Sequence, residues 1–131
     1  MNVDGTDSVL GRLASAVAKE LLKGNEVVIA NATKIIITGS PKKIVGMYLE
    51  RRRRGDFHGP FFPKQPELIV RRAIRGMLPY KTKKGMAAYK RLRVYRDVPE
   101  SVKELKSVGT KHVKCDFIYV GDLAKSLGWR Q

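Results

Sequence analysis

The first thirty residues are patterned as a strand, a helix and a second strand, and this order restricts the fold more than any other feature of the sequence. Met1–Asp4 predicts a short strand. Val9–Lys23 predicts an amphipathic helix that is capped by Ser8 and ended by Gly24. Glu26–Ala30 is a continuous apolar run, which is typical of a strand covered on both faces. A strand, a helix and a strand of these lengths predict a parallel pair joined by a right-handed crossover.

Shorter patterns continue the α/β character of the chain. Ile35–Ile37 follows the second strand too soon for a helical crossover, so it is either an antiparallel partner or an irregular extension. Gly55–Pro66 and Pro99–Lys114 are rich in loop-forming residues and are expected to be irregular. The other predicted elements are helices from Pro41 to about Arg53, from Glu67 to just before Pro79, from the Thr82 cap to Arg91 and over Asp122–Leu127, with strands over Leu92–Tyr95 and Phe117–Val120.

Apolar spacing predicts which faces of the middle helices are buried. The charged side chains of Arg71, Arg72 and Arg75 are expected to point away from the core. The apolar residues expected to point inward are Ile44, Val45, Tyr48, Leu49, Ile69, Val70, Ala73, Ile74, Met77, Met86 and Tyr89.

Length and composition favour one domain over residues 1–131. The hydrophobic fraction of 43% is ordinary for a globular chain and argues against a disordered basic tail. Cys115 is the single cysteine, which fits a reducing compartment. No apolar run approaches the roughly 20 residues needed to span a bilayer, and the N-terminus lacks the pattern of a signal peptide. We therefore expect a cytosolic protein.

The positive charge is concentrated in the middle of the chain. The whole sequence has 27 Lys and Arg against 12 Asp and Glu, a net charge of +15. Residues 42–96 alone hold 17 basic and 3 acidic side chains, a net charge of +14. A surface that serves only solubility mixes the two signs, so this imbalance favours a polyanionic partner, with nucleic acid as the first candidate. The simpler alternative is a solvated basic surface.

The predicted contacts with RNA centre on three basic segments, Arg51–Arg54, Arg71–Arg75 and Lys81–Lys84. The run Arg51–Arg54 is followed by aromatic residues and His58, and arginine with aromatics suits irregular RNA. Phe61 and Phe62 pack either on RNA or on the domain itself. Lys81, Lys83 and Lys84 lie at a predicted helix start, where the helix dipole disfavours positive charge, which indicates an anionic partner. The predicted RNA-binding residues are Lys42, Lys43, Arg51, Arg52, Arg53, Arg54, His58, Lys64, Arg71, Arg72, Arg75, Lys81, Lys83, Lys84 and Arg91.

Other chemistry has little support in the sequence. The segment Thr38–Lys43 resembles a phosphate-binding loop but lacks the required glycine and lysine spacing, so it is read as a helix cap or an RNA-phosphate contact. His58, His112 and Cys115 do not make up a zinc ligand set. No arrangement typical of nucleophilic catalysis is evident. We expect no cofactor, no metal, no small-molecule substrate and no enzymatic activity.

Several motifs together resemble the L thirteen family of large-subunit ribosomal proteins. The match covers about residues 3–95, and the segment Phe117–Trp129 is similar to the archaeal and eukaryotic branch. The matching motifs, in family order, are Leu10–Ser15 with Val17–Ala18, Val27–Ala32, Ile37–Gly39, Arg75–Pro79, Lys81–Gly85 and Leu92–Tyr95.

This resemblance implies a three-layer α/β/α domain with a central four-stranded, mostly parallel sheet. It implies binding to large-subunit rRNA beside neighbouring ribosomal proteins, a part in early subunit assembly, no enzymatic activity and a cytoplasmic location in the ribosome. The chain lacks the long C-terminal extension of eukaryotic members, which favours an archaeal-type member. A free-standing regulatory protein that binds RNA or DNA is the main alternative, and an enzyme acting on RNA is the second.

Overall fold

The computed structural model describes residues 1–53, 63–100, 105–107 and 115–130, and these residues form both helices and strands. The elements in chain order are β1 (Asn2–Asp4), α1 (Leu10–Leu22), β2 (Val27–Ala30), β3 (Ile36–Thr38), α2 (Pro41–Arg53), α3 (Pro66–Gly76), α4 (Lys83–Lys90), β4 (Leu92–Val94), β5 (Lys106–Ser107), β6 (Phe117–Tyr119) and α5 (Val120–Ser126). Most predicted elements are therefore present, with ends that differ by one or two residues. The largest differences, of two residues, are the end of α3 at Gly76, where the helix was expected to run to just before Pro79, and the start of α5 at Val120, where the last strand was expected to continue.

Strand β2 lies between β4 and β1 in a parallel sheet. Ile29 of β2 is opposite Val3 of β1 on one side and opposite Val94 of β4 on the other. The predicted parallel pair of β1 and β2 around helix α1 is confirmed. The two-residue β5 pairs in parallel with β1 at the outer edge. The fold is thus mixed α/β, built on three full parallel strands, with a separate antiparallel pair.

That antiparallel pair joins β3 to β6. Ile36 is opposite Tyr119, and Thr38 is opposite Phe117. Of the two alternatives for Ile35–Ile37, the antiparallel partner is the observed one. Its partner comes from near the C-terminus rather than from the neighbouring β2, which is a long-range pairing that local spacing does not reveal.

The core is centred on the apolar face of α1. Leu13, Ala14, Val17 and Leu21 are fully buried, and α1 packs against α3 and α4. Burying each large aliphatic side chain contributes about 1.5–3 kcal/mol. The glycine that follows this helix, Gly24, has a φ of +99°, as its predicted position after the C-terminus requires.

Ser8 does not cap α1, contrary to the prediction. Val9 is the N-cap residue and makes no side-chain capping bond. The Ser8 backbone instead links to β3, because its carbonyl accepts a hydrogen bond from the Ile36 N–H at 2.9 Å. Its hydroxyl is buried and has no hydrogen-bond partner among the described residues. Long-range pairing has thus replaced the local cap.

Two methionines that were predicted to be buried are exposed. Met77 is 46% exposed and Met86 is 51% exposed. Helix α3 ends at Gly76, so its apolar stripe stops at Ile74 and the next buried residue is Leu78 in the turn. On α4 the inward positions are taken by small residues, Gly85 and Ala88, rather than by Met86. The small residues let the α4 backbone approach its neighbours closely.

Candidate nucleic-acid interface

Helices α3 and α4 meet at a corner formed by residues 77–82, and a dense set of hydrogen bonds holds this corner. The Thr82 hydroxyl donates to the Pro79 carbonyl at 2.7 Å and accepts from the Gly85 N–H at 3.2 Å. The Thr82 N–H also donates to the Pro79 carbonyl at 2.9 Å, and the Tyr80 N–H donates to the Leu78 carbonyl at 2.8 Å. The predicted Thr82 cap is confirmed, and the corner has a defined backbone shape.

This corner lies in the longest stretch of the sequence without a carboxylate. Residues 68–96 contain no Asp or Glu. Lys81, Lys83 and Lys84 are all exposed beside the corner, and the first turn of α4 holds no acidic residue to offset them. The ten basic residues of the stretch are Arg71, Arg72, Arg75, Lys81, Lys83, Lys84, Lys90, Arg91, Arg93 and Arg96.

Two arginines of α3 are stacked on tyrosines. The Arg71 guanidinium lies 4.8 Å from the centre of the Tyr89 ring, and the Arg75 guanidinium lies 4.8 Å from the centre of the Tyr80 ring. Both arginines are half-buried beside these rings, and their direction away from the core stays a prediction. A cation–π contact stabilises by roughly 0.5–1 kcal/mol at an exposed site, enough to favour one position of the charge. The tyrosines within the basic stretch are the only sequence signal for these contacts.

Helix α2 carries a second group of basic residues. Lys42, Lys43, Arg51 and Arg53 are exposed and Arg52 is half-buried. Arg51 lies over the ring of Tyr48 with 5.0 Å between guanidinium carbon and ring centre. Burial raises the pKa of the Tyr48 hydroxyl, and the Arg51 charge opposes that shift. Helix α2 packs against α5 and β6, and α5 in turn packs against α3.

The remaining predicted contacts differ in their surroundings. Lys64 is exposed just before α3. Arg91 is half-buried and its Nη2 donates a hydrogen bond of 2.7 Å to the Leu21 carbonyl at the end of α1. It therefore has a structural role that the sequence did not suggest, while its contact with RNA stays a prediction. Arg54 and His58 lie outside the described residues, as do Phe57, Phe61 and Phe62.

A cleft of about 420 Å³ separates β6 and α5 from the segment after β4. Its charged lining is balanced, because Asp7, Asp97 and Asp122 face Lys34, Arg96 and Lys125. The Tyr119 hydroxyl donates to Asp7 Oδ1 at 3.1 Å, and this hydrogen bond with the nearby charge raises the pKa of Tyr119. Equal numbers of both charges make the cleft a poorer place for a polyanion than the α3–α4 corner.

Two other kinds of site receive no support from the described part of the chain. No three His, Cys, Asp or Glu side chains within it come together as a metal ion would require. No helix among the same residues is long and apolar enough to cross a membrane.

Comparison with known proteins assigns the family. The model of the family described as Ribosomal protein L13 matches residues 1–101. The chain belongs to the ribosomal protein L13 family. It is 42% identical to the large ribosomal subunit protein uL13 of Methanopyrus kandleri, over 98% of this chain and 86% of that protein. It is 43% identical to the uL13 of Thermoplasma acidophilum and 40% identical to that of Methanocaldococcus jannaschii, each over 96% of both chains.

The L13 family match contains both groups of basic residues described above. It includes α2 and the whole α3–α4 corner, while β6 and α5 lie beyond residue 101. The archaeal relatives nevertheless align over nearly the full chain. The predicted family and its archaeal character are therefore confirmed.

Proposed function

We propose that this L13 family chain is a structural constituent of the large ribosomal subunit, where it binds large-subunit rRNA and supports early assembly of the particle. The observation that carries this proposal is the α3–α4 corner, where exposed lysines lie beside two ring-stacked arginines in a stretch without carboxylates. The archaeal relatives are named as large ribosomal subunit proteins. The chain then works in the cytoplasm, within the ribosome, and its role is structural rather than enzymatic.

The proposed mechanism is neutralisation of phosphates at positions that the fold sets. Lys81, Lys83 and Lys84 supply mobile charges at the start of α4, where RNA phosphates also relieve the unfavourable interaction with the helix dipole. Arg71 and Arg75 supply charges whose positions are restricted by the tyrosine rings. Contacts of this kind fix the register of the protein on the RNA and involve no bond making or breaking.

The finer architecture also belongs to this proposal. We propose that residues 1–131 form one domain and that β5 completes a central four-stranded sheet with helices on both of its faces. The pairing of β5 with β1 through Val3 and Asp4 supports this arrangement. Neighbouring large-subunit proteins are proposed as further partners. The fourteen Lys and Arg residues and His58 that were predicted from the sequence remain the proposed RNA contacts.

Salt dependence of RNA binding tests the phosphate mechanism. If about six basic groups contact phosphate, the slope of log K against log salt is expected to be about −4 to −5. The measurement is the affinity of the purified chain for protein-free large-subunit rRNA between low and physiological salt. A slope near zero contradicts phosphate neutralisation.

Co-sedimentation separates a ribosomal constituent from a free-standing regulator of RNA or DNA. We expect the chain to remain with large subunits when cell extracts are centrifuged in high salt. Release of the chain from large subunits under conditions that retain other subunit proteins contradicts a structural role and favours the regulator.

A further inference from the structure

We propose that the exposed face of Tyr80 stacks on an unpaired base of the RNA while Arg75 supports the ring from its other face. This inference rests on the proposed function, since its ligand is a base of the large-subunit rRNA. It adds a contact of a different kind from phosphate neutralisation, because stacking uses the faces of the rings and carries no charge.

Exposure distinguishes Tyr80 from the other tyrosines that pair with arginine. Tyr48 is 7% exposed under Arg51, and Tyr89 is half-buried under Arg71. Tyr80 is 39% exposed although Arg75 lies over its ring at 4.8 Å. The guanidinium lies over one face of the ring. We infer that the exposed area includes the opposite face, where a flat ligand can stack.

The ring is carried by a backbone with little freedom. The Tyr80 N–H donates to the Leu78 carbonyl, and two residues further on Thr82 makes two hydrogen bonds to the Pro79 carbonyl. Gly85 lies so close to Pro79 that a side chain there would overlap the Pro79 carbonyl. A ring held in this way loses little conformational entropy on binding, which favours affinity.

The surroundings of Tyr80 specify a nucleotide rather than another flat group. Lys81 follows it directly, and Lys83 and Lys84 are exposed at the start of α4, so positive charge is available to the phosphates next to a stacked base. The face of a base is free only where the RNA is single-stranded or splayed out, as in loops and bulges. Aromatic stacking tolerates any base, so we expect an unpaired position rather than a particular nucleotide.

Substitution of Tyr80 tests the stacking contact in the full chain. Tyr80→Leu keeps an apolar side chain without the ring, and Tyr80→Phe keeps the ring without the hydroxyl. With protein-free large-subunit rRNA as the probe, we expect Tyr80→Leu to weaken binding about five- to a hundredfold, and Tyr80→Phe to bind nearly as the unchanged protein does. The salt slope should be the same for all three, since no charge is removed.

Tyr95 provides a matched control. It is 42% exposed and lies in the same carboxylate-free stretch, yet no guanidinium among the described residues is placed over its ring. We expect Tyr95→Leu to leave RNA affinity within about twofold of the unchanged protein. Equal losses for Tyr80→Leu and Tyr95→Leu would overturn a specific role for Tyr80.

Crosslinking provides a readout that does not depend on a mutant fold. Ultraviolet irradiation of purified large subunits, followed by mass spectrometry, is expected to give a base adduct on Tyr80. Unchanged binding by Tyr80→Leu, or a Tyr80 crosslink to protein instead of RNA, overturns the stacking contact and leaves the proposed function intact. No binding of rRNA by the unchanged chain overturns both.

Discussion

The carbonyl group of Pro79 occupies the space into which any side chain at Gly85 would project. Gly85 is buried in the first turn of α4, and its N–H is bonded to the Thr82 hydroxyl. The absence of a side chain therefore lets α4 start directly against the corner that precedes it. The proposed RNA-binding surface depends on this close approach, because Tyr80, Lys81 and Lys83 are all carried by the same few residues.

We expect Gly85→Ala to destabilise the protein by about 3 kcal/mol, since the added methyl group must displace backbone rather than a flexible side chain. The measurement is the free energy of unfolding from denaturant titration. Gly46→Ala is the matched control, because Gly46 lies inside α2 with open space around it. That change is expected to be neutral or to stabilise by about 0.5–1 kcal/mol. Equal effects of the two changes would show that the contact with Pro79 is unimportant.

The second prediction contrasts two hydroxyl residues that precede helices. We expect Thr82→Ala to cost about 1 kcal/mol, because the hydroxyl caps α4 through the Gly85 N–H. We expect Ser8→Ala to leave stability unchanged or higher, because the Ser8 hydroxyl is buried and makes no hydrogen bond within the described residues. The melting temperatures of the two variants, compared with that of the unchanged protein, test both expectations. A clear loss of stability in Ser8→Ala would mean that its hydroxyl has a partner.

Local patterns predicted the elements well, and the reasons are visible in α1 and α4. The helical spacing of Leu13, Val17 and Leu21 reflects burial of one face, and all three residues are fully buried. The Thr82 cap depends only on residues within three positions of it. Where a structural feature depends only on residues close in the chain, the sequence is enough to predict it.

The features that the sequence did not reveal arise from contacts between distant segments. Ser8 resembles an N-cap by position, but pairing with Ile36 directs its backbone elsewhere. Met86 fits the helical stripe, yet the contact between Gly85 and Pro79 determines which side of α4 faces inward. The same holds for the interface. Its positive charge is evident from the sequence, whereas the stacking of arginine on tyrosine can be seen only in the folded structure.

The third prediction separates structure from RNA binding at Arg91. We expect Arg91→Met to destabilise the protein by about 1–2 kcal/mol, because it removes the 2.7 Å hydrogen bond to the Leu21 carbonyl. Arg93→Met on the neighbouring strand is the control, since Arg93 is exposed. Denaturant titration gives the stability, and the salt slope of rRNA binding gives the number of phosphate contacts. A shallower slope together with normal stability in Arg91→Met would support the proposed RNA contact of Arg91 and contradict its structural role.

Charge reversal tests the corner most sharply at the lysines of α4. Reversal of Arg71 and Arg75 also removes two ring contacts and perturbs half-buried side chains, so any loss of function there has two explanations. Lys83 and Lys84 are exposed, and they lie where the helix dipole disfavours positive charge. Their replacement therefore separates folding from binding.

We expect the double variant Lys83→Glu with Lys84→Glu to melt at or slightly above the temperature of the unchanged protein, because acidic residues suit the first turn of a helix. The same variant should be absent from purified large subunits, since each change turns an attraction to phosphate into a repulsion. Arg12→Glu is the control, because Arg12 is also exposed in a first helical turn but lies outside the basic stretch. Arg12→Glu should melt near the temperature of the unchanged protein and should still be incorporated into large subunits. Normal incorporation of the double variant would show that the start of α4 does not contact RNA, whereas a lower melting temperature would mean that the lysines stabilise the fold.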